Sequence, residues 1–149
     1  MYLELQMNNC ITLFQAKQLR QLGFNEYVSS HYWLIKHNPL CLAMSTPDNW
    51  NDSKCFVSAP TVDETIDWLR RKYNIHIYTC IEPFVDPKDP KGSVLYRYGV
   101  KWCDKNNGWN GRIVIGKTNL SKNPYSLKRQ AITFALRWIT KNNVKKLSK

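Results

Sequence analysis

Three stretches of the chain repeat apolar residues at helical spacing, and shorter runs between them alternate apolar with polar positions. In TLFQAKQLRQLGF, which begins at Thr12, the residues Leu13, Ala16, Leu19 and Leu22 fall on one side. Thr12 and Gln15 have the spacing of a capping box, in which each side chain satisfies an orphan donor of the first turn. Gly23 follows the last turn, where a left-handed backbone costs it nothing, and Phe24 can fold back onto the helix. A helix over about 13–22 is predicted.

The second stretch, APTVDETIDWLRRKY, places Val62, Ile66, Leu69 and Tyr73 on one stripe and offers Thr61 and Glu64 as a second capping box. Asp63, Glu64 and Asp67 lie early and Arg70, Arg71 and Lys72 late, matching the helix dipole at both ends, and Asp67 can pair with Arg71. Asn74 suits the left-handed position that ends it. The third stretch opens with Asn123 as cap and Pro124 at the first helical position. Turning ~100° per residue, it puts Leu127, Ala131, Phe134, Ala135 and Trp138 on a buried stripe. Arg129, Thr133, Arg137, Lys141 and Lys145 then form a row on the opposite side, with Lys146 and Lys149 trailing.

Between these helices HYWLIKHNPLCLAM reads as two short strands around the Asn38-Pro39 turn, STPDNWNDSK as a polar loop and CFVS as a further short strand. Ile75, Ile77, Thr79 and Ile81 form one face of a strand, with His76, Tyr78 and Cys80 on the other. DPKDPKG must be loop, because its two prolines withhold donors and restrict the residue before each. SVLYRYGVKWC and GRIVIG flank DKNNGWN as a hairpin with a long turn. The order α-β-β-β-α-β-β-β-α predicts the α+β class, a mostly antiparallel sheet with about three helices packed on it. The length of 149 residues fits one domain, taken as 1–143, followed by a loose basic tail over 144–149.

Charge changes this picture more than composition does. Residues 1–100 carry 10 basic and 10 acidic side chains, whereas 101–149 carry 12 basic ones against the single acid Asp104, so the whole net charge of +11 sits in the last third. Such asymmetry points to an anionic partner. Hydrophobic residues make up 43% of the chain, which excludes a disordered protein. No run approaches the roughly 18 apolar residues of a membrane span, and MYLELQMNNC lacks the basic start and apolar middle of a signal peptide. A cytosolic protein without membrane contact is expected. Cys10, Cys41, Cys55, Cys80 and Cys103 are odd in number and nowhere spaced C-x-x-C, and read as reduced core thiols.

ITLFQAKQLRQLGF, SAPTVDETIDWLRRKYNIHI and NPYSLKRQAITFALRWI together resemble a group of small uncharacterised proteins of bacteriophages and mobile elements of gut bacteria. That group opens with a T-x-E-x-A-K-x-L-K-E-K-G-F-like helix, carries A-P-T-L-x-x-A-x-x-W-L-R in the middle and closes with an Ala- and Leu-rich helix. The chain departs from it in a Lys- and Arg-rich end where Glu-rich ones are the pattern. With no activity assigned to the group, the resemblance implies origin and, by analogy, inhibition of a host defence system.

The basic row, with Lys101 and Arg112 added, makes Arg129, Arg137, Lys141 and Lys145 the candidate anion or nucleic-acid contacts, since a phosphate backbone rewards several cations at once through counterion release. Neighbouring Glu would be expected on a face that is merely solvated. Tyr96, Tyr98, Trp102 and Trp109 are candidates for stacking bases. Tyr96, Tyr98 and Val100 share a strand face, which suits cross-strand packing equally. Two D-P-K repeats, with Glu82, Asp86 and Asp89, offer a metal-dependent nuclease as the enzymatic alternative. Proline within each repeat argues for a turn instead. His31, His37 and His76 with the cysteines lack the ligand spacing of a zinc site, and no glycine-rich phosphate loop is present. The expectation is therefore a non-enzymatic binding protein without cofactor or metal, engaging nucleic acid, a nucleotide or an acidic host protein. A protein–protein adaptor or homo-oligomer is the third reading.

Overall fold

Helix α1 spans Leu13–Gln21, and its start is the expected capping box: Gln15 N–H donates to Thr12 Oγ1 (3.3 Å) and Thr12 N–H to Gln15 Oε1 (3.2 Å). A computed structural model describes residues 9–34, 42–85, 88–89, 91–92, 94–104 and 112–147, the backbone alone over 81–85. At the far end of α1 Gly23 takes φ 77° and the Phe24 N–H returns to the Leu19 carbonyl (3.0 Å), burying the Phe24 ring. The chain divides into two compact units, Met1–Thr65 and Ile66–Lys149.

In the first unit β1 (Val28–Trp33), β2 (Leu42–Asp48) and β3 (Phe56–Ser58) form an antiparallel sheet ordered β2-β1-β3. The expected loop from Ser45 is shorter than its composition suggests, because β2 continues to Asp48 through Pro47. An edge strand tolerates proline, whose missing donor takes nothing from the sheet interior. A 3-10 turn, Trp50–Asp52, then fastens the unit: Asn51 Nδ2 donates to the Phe24 carbonyl (2.7 Å), while Asn51 Oδ1 accepts from the Ser58 N–H (3.0 Å). Arg20 of α1 donates to the Ser53 and Phe56 carbonyls (2.9 and 3.2 Å). His31, 4% exposed, stacks on Trp50 at 3.9 Å and meets the Phe56 ring edge-on at 5.0 Å. The Asn38-Pro39 turn, His37 and Cys41 lie outside the described residues.

Helix α2 (Val62–Tyr73) crosses the boundary between the units. Thr61 and Glu64 form its capping box, Asp67 pairs with both Arg70 and Arg71 at 2.6 Å, and Asn74 closes it at φ 56°. Thr65 and Trp68 are fully buried beside Val62 and Leu69, whereas Ile66 is only half-buried.

Strands β4 (Ile75–Val85), β5 (Val94–Cys103) and β6 (Arg112–Lys117) form a second antiparallel sheet, ordered β4-β5-β6. The turn joining β5 to β6 lies outside the described residues. Val100 pairs with Gly116 but Lys101 with Val114, so Ile115 is an extra residue, a bulge on β6. Helix α3 (Pro124–Asn142), capped by Asn123 Oδ1 on the Tyr125 and Ser126 N–H groups, packs on this sheet. The class and the element order are as the sequence implies, with the six strands shared between two sheets.

Two expectations for the last helix change. Its buried residues are Leu127, Ala131, Ile132, Ala135, Leu136 and Ile139, so the inward face is turned by roughly 70° from the expected stripe at 100° per residue. Phe134 and Trp138 are consequently half-buried. The basic end is also tied down: Leu147 N–H donates to the Lys72 carbonyl (2.7 Å) and Lys146 Nζ stands 5.8 Å from the Trp68 ring centre. Residues 144–147 are thus not a loose tail. Among the described residues no helix is long and apolar enough to cross a membrane.

Truncating Leu136 to Ala should cost about 2–5 kcal/mol through its cavity, while Arg137→Ala next to it should stay within about 0.5 kcal/mol. Urea unfolding of the two variants reads the helix phase directly. Burial lowers the pKa of His31 from its ordinary 6.5, so the unfolded chain takes up the proton first. Stability from this group is complete above pH ~6.5 and is lost as the pH falls below it. The variant His31→Phe, which keeps the stacked ring, should flatten the fall in unfolding free energy between about pH 7 and 5.

Candidate functional site

The altered phase of α3 decides what its outer surface offers. With Ile132, Leu136 and Ile139 taken by the core, Phe134 and Trp138 come to the border between the packed and the solvated sides of the helix. Gly116 lies beside one of them: a Cβ there would meet the Phe134 ring in ordinary van der Waals contact, at 3.4 Å. The bulge turns Ile115 toward the same place. The result is a recess of about 180 Å³ walled by Ile115, Phe134 and Trp138 and carrying Arg137 and Lys141. Trp138 is also a wall of a larger groove, about 780 Å³, with Trp102, Ile113, Tyr73, Lys145 and Lys146. The Trp102 and Trp138 rings are 6.4 Å apart and tilted by 47°. Trp138 Nε1 is buried and has no hydrogen-bond partner among the described residues.

Arg137, Lys141 and Lys145 are exposed, as the sequence implies. None forms an ion pair with a carboxylate among the described residues. Arg129 is half-buried and has another interaction, so it is less open to a partner than its spacing suggests. Lys145 lies past the helix end at Asn142; it reaches the aromatic groove from the following segment, not as the next step of a helical row. Residues 112–147 hold nine cationic side chains and no acidic one. Among them, Lys122 pairs with Asp89 at 2.8 Å.

Lys101 and Arg112 stand elsewhere. Trp102, paired with Ile113, points toward α3, so the alternation of a strand sends Lys101, Cys103 and Arg112 to the other face of the sheet. There they line a recess of about 250 Å³ with His76. Tyr78 lies over Gly99, its cross-strand partner, where any side chain would collide with the ring, and Lys101 Nζ sits 4.5 Å above that ring. His76 Nε2 is 2.9 Å from Asn74 Oδ1. Because Asn74 Nδ2 donates to the Cys103 carbonyl, its oxygen must accept, which assigns the proton to His76 Nε2. Burial, then the charges of Arg70 and Arg112, lower the pKa of this histidine.

Tyr98 drops out of the expected stacking set. Tyr98 is 7% exposed, a core residue whose N–H donates to Thr118 Oγ1, and Trp102 packs toward Trp138. Tyr96 remains 38% exposed, and Trp109 lies outside the described residues. On α3 it is Phe134 and Trp138 that stand beside exposed cations, two residues whose helical spacing in the sequence suits core packing equally. Of the nuclease candidates, Asp89 holds a turn and an ion pair, accepting from the Lys91 N–H (2.9 Å) and Lys122. Asp86 and the Glu82 side chain lie outside the described residues. Among the described residues no group of three His, Cys, Asp or Glu side chains is placed to hold a metal ion. Comparison with protein-family models, curated proteins and solved structures finds no match to this chain.

Removing one of the nearby positive charges should relax the histidine. In Arg112→Gln the His76 pKa, followed by NMR of its ring protons, should rise toward the ordinary value, because the imidazolium loses a like-charged neighbour.

Proposed function

We propose that the α3 side of the second unit is a polyanion-binding surface, and that its natural ligand is nucleic acid held chiefly through phosphates. The observation that carries this reading is Arg137, Lys141 and Lys145, exposed, without carboxylate partners among the described residues, in a span of nine cations and no acid. Cations so arranged displace several counterions at once from a phosphate backbone and contribute little to the choice of sequence. Lys101 and Arg112 on the opposite sheet face extend the positive field around the unit and serve a steering role. The protein acts as a binder. The resemblance to proteins of phages and mobile elements supplies a setting for that binding, interference with a host defence system, on sequence motifs alone.

Gel shift of labelled oligonucleotides over a salt series tests this. Affinity should fall steeply as salt rises, and Arg137→Gln/Lys141→Gln/Lys145→Gln should reduce the slope of log K against log salt by about 2 for single strands, at about 0.7 per phosphate contact. The thermal unfolding midpoint should barely move, since the three side chains are exposed. Unshifted nucleic acid at low salt, or a variant that binds as the parent does, would overturn the reading.

A further inference from the structure

Resting on that reading, we propose that the surface selects single-stranded nucleic acid, with one unstacked base seated in the recess of Ile115, Phe134 and Trp138 and its flanking phosphates held by Arg137 and Lys141. The two recesses beside α3 are not merely basic. Aromatic walls and cations interleave: Phe134 and Trp138 are one helical turn apart, with Arg137 between them and Lys141 following. Trp138 is shared by the smaller recess and the 780 Å³ groove, where Trp102, Lys145 and Lys146 repeat the same combination. Rings and charges alternating along a channel are what an extended strand meets well, because each nucleotide presents a π-face and a phosphate.

A duplex cannot use this surface fully. Its bases are paired and stacked inside, so Phe134 and Trp138 would face only sugar and phosphate, and the apolar walls would contribute nothing. The apolar side of the recess also distinguishes this ligand from free inorganic phosphate, which would engage Arg137 and Lys141 and leave the rings idle. A peptide of acidic residues alone could neutralise the cations, but it has no ring to fill the space against Phe134. Base identity is not read, since the recess walls present rings and alkyl groups, not a set of fixed donors and acceptors.

The experiment compares a twelve-nucleotide oligo-dT, the duplex of the same length and poly-glutamate, each binding to the full chain and followed by fluorescence anisotropy of a labelled ligand. The parent should favour the single strand over the duplex by at least about tenfold, given the usual contribution of one stacked base. Phe134→Leu, which keeps an apolar side chain against Gly116, should weaken oligo-dT about tenfold while leaving duplex affinity and the salt slope unchanged. Arg137→Gln should weaken both nucleic acids. A second measurement avoids any variant: photocrosslinking of oligo-dT carrying 5-iodouracil should label the tryptic peptides 130–137 and 138–141. Equal affinity for duplex and single strand, or crosslinks confined to other peptides, would overturn base seating while leaving phosphate binding intact. If poly-glutamate alone binds, or if nothing does, the reading beneath it fails as well.

Discussion

The rotation of α3 about its own axis on the sheet β4-β5-β6 is the constraint from which the rest of the surface follows. Ile132, Leu136 and Ile139 are the large side chains that α3 buries as it packs on the sheet. Once these are inside, the helix geometry leaves no choice for the others: Phe134 and Trp138 move to the flank and Arg137 to the far side. The bulge at Ile115 suits this packing by turning an apolar residue toward the helix flank, where the Phe134 ring lies beside Gly116.

The elements with local signals were readable because each depended on residues within one turn. Both capping boxes, the left-handed Asn74, and the Asn123-Pro124 start are interactions spanning four positions or fewer, and the chain makes them as written. The phase of α3 was less readable. Its sequence holds apolar side chains around more than half the circumference, LKRQAITFALRWI, so two neighbouring stripes were nearly equal in count. Only the partner sheet separates them, and that sheet contributes a glycine and a bulge whose position depends on pairing across the hairpin. Strand β2 gives the same lesson from the other side: Pro47 looks like loop until its neighbours show it to be an edge.

The candidate site is legible in the sequence as charge and not as geometry. Arg137, Lys141 and Lys145 are exposed because long cations cannot be buried without partners, a rule that needs no tertiary information. Lys101 and Arg112 could not be grouped with them correctly, since strand alternation puts these residues behind the sheet, next to His76. Tyr98 failed as a stacking residue for a similar reason. Alternation alone says which residues share a face; it does not say which face the helix covers.

The chain contains its own control for whether the α3 surface is merely solvated. Helix α2 solves that problem in the ordinary way, with Asp67 clasping Arg70 and Arg71 and acids placed at its start. The first unit, with four basic and six acidic residues, carries −2, whereas the second, with eighteen and five, carries +13. Self-repulsion on that scale opposes folding unless something offsets it. A helix that needed only solubility would gain from even one Glu set four residues before Arg137 or Lys141, yet positions 133 and 137 are Thr and Arg. The absence of so small a stabilising change, in a chain that makes it elsewhere, is what a surface kept open for an anion would show. On the proposed reading, bound phosphates would supply the negative charge that α2 finds within itself.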